Sequence, residues 1–312
     1  MIGVLLMAYG SPSGPEDLED FYTSVRRGRP PSPEMLRELG ERYRAIGGRS
    51  PLPEITRRQA DALQTRLDGD APGRFHVYVG MRHSPPFIAD TVAAMADGGI
   101  TAGVGLALAP HYSRLGAGAY IAAAEAARER TPVLSLRYVE RWGEHPRFLD
   151  AVAGRLRDAL ATLPEETRRA APVVFTAHSL PGQAIAGGDP YTKELHRTCQ
   201  GIADRSGIQE WILAYQSGGR TAEPWLGPDV REVLRDLGGG RAQAVVVCPV
   251  GFVSDHLEVL YDIDIECGTL AASAGLRLVR AASLNDCPLL IEALADLVGE
   301  AATAFTMERP VR

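Results

Sequence analysis

Residues 245–267 read VVVCPVGFVSDHLEVLYDIDIEC, and the fold of the chain can be worked out from them. Val245, Val246 and Val247 form the short apolar run expected of a buried strand, and Pro249 and Gly251 end it. A helix is predicted to follow, opening near Ser254 and Asp255. On it Glu258, Asp262 and Glu266 recur every four residues, so they share one face, about 6 Å apart along the axis. No Lys or Arg lies among them. Such a row is ordinarily a solvated acidic face. Here it starts at the C-terminal end of an apolar strand, where open α/β sheets place their ligands, which points to a divalent cation.

The same strand-then-helix rhythm runs through the rest of the chain. Strands are predicted at Val4–Ala8, Phe75–Val79, Val104–Ala109 and Val133–Val139. Helices are expected at Pro15–Arg26, Pro33–Ala45 and Pro53–Leu67, each opening near a proline that suits a first turn. Further helices are predicted at Ala117–Arg128 and Pro146–Leu163, the latter running into a charged link, Pro164–Arg169. A second half restarts with strands at Val173–Ala177, Trp211–Tyr215, Ala244–Cys248 and Arg277–Arg280, and a last helix spans Pro288–Thr303. This alternation means an α/β fold with parallel sheets. With 312 residues, two domains are expected, at 1–140 and 141–312, the last helix (288–303) returning to the first.

Composition removes several function classes. The net charge of −6 argues against a general nucleic-acid binder. No apolar run approaches the length of a membrane span, and the first residues lack the basic region of a signal peptide, so a cytoplasmic location is expected. Cys199, Cys248, Cys267 and Cys287 form no CxxC pair, which excludes a zinc ribbon or redox motif. The glycines make neither a GxGxxG nor a Walker pattern, so nucleotide binding has no support.

The halves resemble each other. Ala8-Tyr9-x-x-Pro12 matches Ala177-His178-x-x-Pro181 at the end of the first strand of each half. Ala109-Pro110 likewise echoes Cys248-Pro249 after the third. Tyr9 and His178 therefore hold equivalent places, as a site between two related domains needs. A strand-end histidine can be a hydrogen-bonded structural residue, a base or a metal ligand. Ser179 beside it does not make a hydrolase, because no GxSxG elbow exists and adjacent residues cannot face each other as nucleophile and base. Arg26, Arg27 and Arg29, then Arg42, Arg44 and Arg49, crowd the segment after the first strand near Tyr43 and Ser50. Singly each is a surface charge; together they suit a ligand with several carboxylates, which guanidinium groups bind as forks.

Six segments in order now carry a family resemblance: LLMAYGSP (5–12), IGGRSPL (46–52), LAPHYS (108–113), TAHSLP (176–181), YQSGG with PWLGPDV (215–230), and PVGFVSDHLEVLYDIDIEC (249–267). The chain resembles the ferrochelatases over nearly its whole length, and among them the short coproporphyrin-type enzymes of monoderm bacteria. The resemblance implies two Rossmann-like domains with four-stranded parallel sheets and a porphyrin cleft between them. It implies that His178 and Glu258 face the porphyrin centre, that Asp262 and Glu266 line an outer metal route, and that their helix is widened to a π-type. It assigns Tyr9 to the metal's opposite face, a mark of coproporphyrin-type members, and Arg26, Arg27, Arg42, Tyr43, Ser50 and Tyr120 to the propionates. Some relatives hold a [2Fe–2S] cluster through C-terminal cysteines. Here no cysteine follows Cys287, so no cluster and no tightly bound cofactor are expected, with Fe2+ as substrate. A monomer is expected, and no segment identifies a product-handover partner. A protoporphyrin IX ferrochelatase, a cobalt or nickel chelatase of another tetrapyrrole, and a non-catalytic porphyrin carrier are the competing readings.

Overall fold

The computed structural model describes residues 1–219, 223–240 and 242–307. They form two compact units, each built on one four-stranded, all-parallel sheet. Of the described residues, the first unit comprises those of Met1–Pro110, Gly116–Trp142 and Asn285 to Met307, and the second those of His111–Leu115 and Gly143–Leu284.

In the first unit β1 (Ile2–Ala8) runs through the sheet's interior, its side chains from Val4 to Met7 fully buried. Such two-sided burial is what a continuous apolar run without alternation requires. Helices α1 (Leu18–Val25), α2 (Pro33–Ala45) and α3 (Leu52–Asp70) lead to β2 (Phe75–Met81). Then come α4 (Ile88–Asp97), β3 (Ala102–Ala107), α5 (Ala117–Arg128) and β4 (Ser135–Val139), giving the order β2-β1-β3-β4. The expected helix Pro15–Arg26 is split, because Pro15–Asp17 winds as a 3-10 turn before α1 begins.

In the second unit α6 (Pro146–Ala161) and α7 (Glu165–Ala170) precede β5 (Val173–His178). The charged link expected at Pro164–Arg169 is therefore a helix; acids in its first turn and arginines in its last complement the helix dipole. Short α8 (Gly182–Ala186) and α9 (Tyr191–Ser206) lead to β6 (Trp211–Gln216), and α10 (Val230–Gly238) to β7 (Ala244–Cys248). A π-helix (Glu258–Cys267) continues into α11 (Gly268–Ser273) and edge strand β8 (Arg277–Arg280). The order β6-β5-β7-β8 repeats the first sheet's topology, so β1 and β5 occupy the same place in their respective sheets. Finally α12 (Pro288–Met307) packs on α3, β3 and β4 of the first unit, tied by Arg66 to Glu292 at 2.7 Å.

Two features of the second unit fix the site. Ile263 and Cys267 of the π-helix are buried in one core cluster with Val230, Val233 and Leu234 of α10. Each buried aliphatic of this kind contributes roughly 1.5–3 kcal/mol, so one face of the π-helix is anchored by packing. The chain after β7 then turns back across β5. A Cβ on Gly251 would lie 2.7 Å from Ala177 Cβ and 2.9 Å from its Cα, so only glycine lets this turn press against the residue before His178.

Candidate active site

His178 is the last residue of β5. Tyr191 on α9 donates its hydroxyl to the His178 carbonyl at 3.1 Å and fixes the backbone there. The imidazole Nδ1 lies 2.5 Å from the Ser179 carbonyl. A carbonyl only accepts, so Nδ1 carries hydrogen and Nε2 is the atom free to change its proton or its ligand. Nε2 stands 3.5 Å from Oε1 of Glu258, at the start of the π-helix.

The charges follow from this pairing. Burial alone pushes the His178 imidazolium down, but the Glu258 carboxylate, the Ser179 carbonyl and Asp262 more than offset it and hold the ring well above the ordinary imidazole range. Burial pushes Glu258 up; the imidazolium of His178 reverses this and holds the carboxyl well below the usual carboxylate range. The resting pair is thus imidazolium and carboxylate. Oε2 of Glu258 is buried without a hydrogen-bond partner among the described residues, and stands 4.0 Å from His256 Nε2. His256 donates from Nδ1 to the Ser254 carbonyl at 3.0 Å, and burial lowers its pKa. A neutral imidazole therefore turns its bare Nε2 towards a carboxylate oxygen that already lacks a donor. A proton or a metal cation entering there would meet two acceptors.

The acid row continues down the helix with a different partner at each step. Asp262 is buried and accepts from Ser217 Oγ at 2.5 Å, Ser217 being held at φ 58°. Gln216 donates to the Glu258 carbonyl at 2.9 Å, tying β6 to the helix start. Glu266 lies 3.8 Å from Arg231, whose guanidinium also forks onto Asp229 at 2.9 and 2.7 Å. The row thus has a cation partner that the local sequence lacks, supplied by α10. The helix also opens later than Ser254 and Asp255, because the Asp255 carboxylate is taken by Arg280 at 3.3 Å and by Ser283 at 2.7 Å. Among the described residues no group of three or more His, Cys, Asp or Glu side chains stands together as a preformed metal cage.

In the first unit Tyr9 directly follows β1 and is 37% exposed, its ring 4.6 Å from that of His83 and edge-on to Phe21. His83 is buried, bonded through Nδ1 to Ser24 at 2.9 Å, and held neutral by burial and by Arg82. Arg26 and Arg29 close a turn by each donating to the other's carbonyl, with Arg27 exposed at φ 58° between them. Arg42 is half-buried on α2. Tyr43, Ser50 and Tyr120 are buried. Tyr43 shares a hydrogen bond with Ser11 at 3.2 Å, Ser50 accepts from the Leu52 amide that begins α3, and Arg82 lies over the Tyr120 ring.

Sequence reasoning did not single out Gln216, Ser217, His256 or His83. The first three lie inside the quoted segments 215–230 and 249–267, which was the signal available; nothing local marked His83.

A family model described as Ferrochelatase matches residues 1–302. The chain is 43% identical over 95% of its length to the Coproporphyrin III ferrochelatase of Bacillus subtilis (strain 168), covering 96% of that protein. It is 45% identical over 96% of its length to the protein of that name from Anoxybacillus flavithermus, covering 95% of it. A protein named Ferrochelatase from Herpetosiphon aurantiacus is 43% identical over 95% of this chain and 97% of its own. Among solved structures, SirB from Bacillus subtilis with Fe3+ superposes with a TM-score of 0.62 over 99% of this chain and 98% of its own, at 15% identity. That likeness shows the fold alone. Identity of this order along nearly the whole length, on two parallel sheets of one shared topology, places the chain in the ferrochelatase family.

Proposed function

We propose that this protein inserts ferrous iron into coproporphyrin III, giving the iron coproporphyrin of haem biosynthesis. The observation that carries this reading is its 43–45% identity, over nearly the whole of both chains, to proteins named coproporphyrin III ferrochelatase.

Insertion replaces two pyrrole N–H bonds by iron–nitrogen bonds and releases two protons. Nδ1 of His178 is committed to a carbonyl, so Nε2 is proposed as the acceptor of a pyrrole proton. It can accept only as a free base. The resting imidazolium must first give up its proton to solvent, which its 35% exposure allows, and must pass the first pyrrole proton on the same way before taking the second. A ferrous ion drawn to Glu258 favours this by neutralising the carboxylate that holds the ring charged. The unpartnered Oε2 of Glu258 supports a part in receiving the metal as it sheds water. Asp262 and Glu266 are proposed to pass the ion along the helix, and Glu266 must first exchange Arg231 for it. In the first unit Tyr9 is proposed to contact the metal, and Arg26, Arg27 and Arg42 to hold propionates as guanidinium forks. Tyr43, Ser50 and Tyr120, being buried, support these from behind. No resident cofactor is proposed, and the protein is proposed to act as a monomer.

The test is an anaerobic assay of the purified protein with Fe2+ and coproporphyrin III or protoporphyrin IX. Faster loss of free coproporphyrin III, with the metalloporphyrin spectrum appearing, supports the reading. Preference for protoporphyrin IX moves the substrate, and a spectral shift on binding without insertion makes the protein a carrier.

A further inference from the structure

Arg280 ends the edge strand β8, and its side chain is only 16% exposed. Its guanidinium forks onto Asp264 inside the π-helix, Nε to Oδ1 at 2.6 Å and Nη2 to Oδ2 at 3.0 Å. Nη1 lies 3.3 Å from Asp255 in the turn before that helix, and the same Asp255 oxygen accepts from Ser283 at 2.7 Å. Asp255 and Asp264 flank Glu258 on either side in the chain. One rigid group on the sheet thus grips the π-helix before and after the carboxylate that faces His178.

A π-helix of ten residues needs such a grip. Its i→i+5 turns are rare and usually single, so the wide winding must be imposed from outside. Packing of Ile263 and Cys267 anchors the buried face, but a register slip towards α would carry Glu258 around the axis. The Glu258–His178 distance is already 3.5 Å, and a misplacement of ~1 Å at reacting groups can cost about 100-fold in rate. A forked guanidinium fixes both distance and direction, which a flexible ammonium does not.

We propose that Arg280 is a positioning residue for metal insertion: by clamping Asp255 and Asp264 it sets the winding of the π-helix and holds Glu258 opposite His178. No contact with either substrate is assigned to Arg280; its guanidinium is engaged by Asp255, Asp264 and Ser283. The role rests on the insertion reading above, so the experiment has one arm that needs no turnover.

Arg280→Gln, Arg280→Lys and Asp264→Asn are compared with the wild-type protein. The measurements are kcat and KM for coproporphyrin III with Fe2+, and amide hydrogen exchange over residues 258–267 and over β7. Arg280→Gln is expected to lower kcat about tenfold or more with KM little changed, and to speed exchange over 258–267 while β7 stays protected. Asp264→Asn should give the same pattern more weakly, and Arg280→Lys, which keeps the charge without the fork, should fall between Arg280→Gln and wild type. Unchanged exchange over 258–267, or a loss confined to KM, would overturn the proposal. If Arg280→Gln does not fold, a folded Asp264→Asn with wild-type kcat and exchange overturns it equally. An inactive wild-type protein would refute the insertion reading instead, and the exchange arm would still decide whether Arg280 holds the helix.

Discussion

Nε2 of His178 stands 3.5 Å from Oε1 of Glu258, although eighty residues separate them in the chain. A strand end and a helix start are brought together because the turn after β7 crosses β5 at Gly251. The relationship gives one group two properties that pull apart: a fixed tautomer suited to accept a proton, and a carboxylate that keeps it already protonated.

His178→Ala removes the acceptor without touching the residues proposed to hold propionates. Insertion is expected to fall by about 10²–10⁴-fold, the usual worth of a positioned acid–base group. Coproporphyrin binding, followed by the change in its absorption on titration, should persist. An insertion rate within a few-fold of wild type would take His178 out of the mechanism.

The pair also sets a pH dependence. The charged imidazole of His178 contributes stability that is full below the unfolded value of about 6.5 and is lost as pH rises through its raised folded value. Glu258, held low, contributes stability that is full above about 4.3 and is lost as pH falls through its folded value. The pair therefore stabilises most between those limits. For kcat/KM the sign is opposite on the alkaline side, since free base is what accepts a proton: the rate should climb with pH above neutrality. Glu258→Gln removes the main cause of the raised value and leaves burial opposed only by the Ser179 carbonyl and Asp262, so His178 should titrate well below its wild-type value. Ring resonances followed by NMR across pH would show it, and an unmoved titration would mean that the carboxylate does not govern the ring.

Much of this architecture was legible in the residues. Ala244–Cys248 and Arg277–Arg280 stand where their apolar runs predict, and Pro33–Ala45 and Ala117–Arg128 match their helical readings residue for residue. Helices Tyr191–Ser206 and Val230–Gly238 carry no sequence expectation, although Leu195, Cys199 and Ile202 in the first and Val230, Val233 and Leu234 in the second stand at helical spacing. Asp229 and Glu232, which cap the second reciprocally, are a further signal. Spacing put Glu258, Asp262 and Glu266 on one helix. It could not show their partners His178, Ser217 and Arg231, which arrive from other elements, nor the clamp that draws Asp255 out of a capping role. The π-winding came from family resemblance alone; no local propensity marks it.

Tyr9 offers a test of porphyrin choice. Its ring is partly exposed and packs on His83, so a flexible apolar residue can replace its contacts. Tyr9→Met is expected to change stability by less than about 1 kcal/mol and to lower turnover of coproporphyrin III more than that of protoporphyrin IX. The ratio of the two rates is the readout. An unchanged ratio would refute a selective role for Tyr9.

Gly251 and Gly299 should respond in opposite ways to the same substitution. An alanine Cβ at 251 would sit 2.7 Å from Ala177 Cβ and 2.9 Å from its Cα, and the Cα belongs to the strand that carries His178. Backbone cannot yield there as a side-chain tip could, so Gly251→Ala should cost about 1–3 kcal/mol of stability. Because the strain falls one residue from His178, kcat should drop as well. At Gly299, within α12, a Cβ meets no atom within 4 Å. Gly299→Ala should therefore raise stability by up to about 1 kcal/mol through helix propensity alone, with kcat unchanged. Thermal unfolding and steady-state insertion rates of the two variants separate the cases. Equal thermal midpoints would show that the close approach at Gly251 does not hold the second unit together.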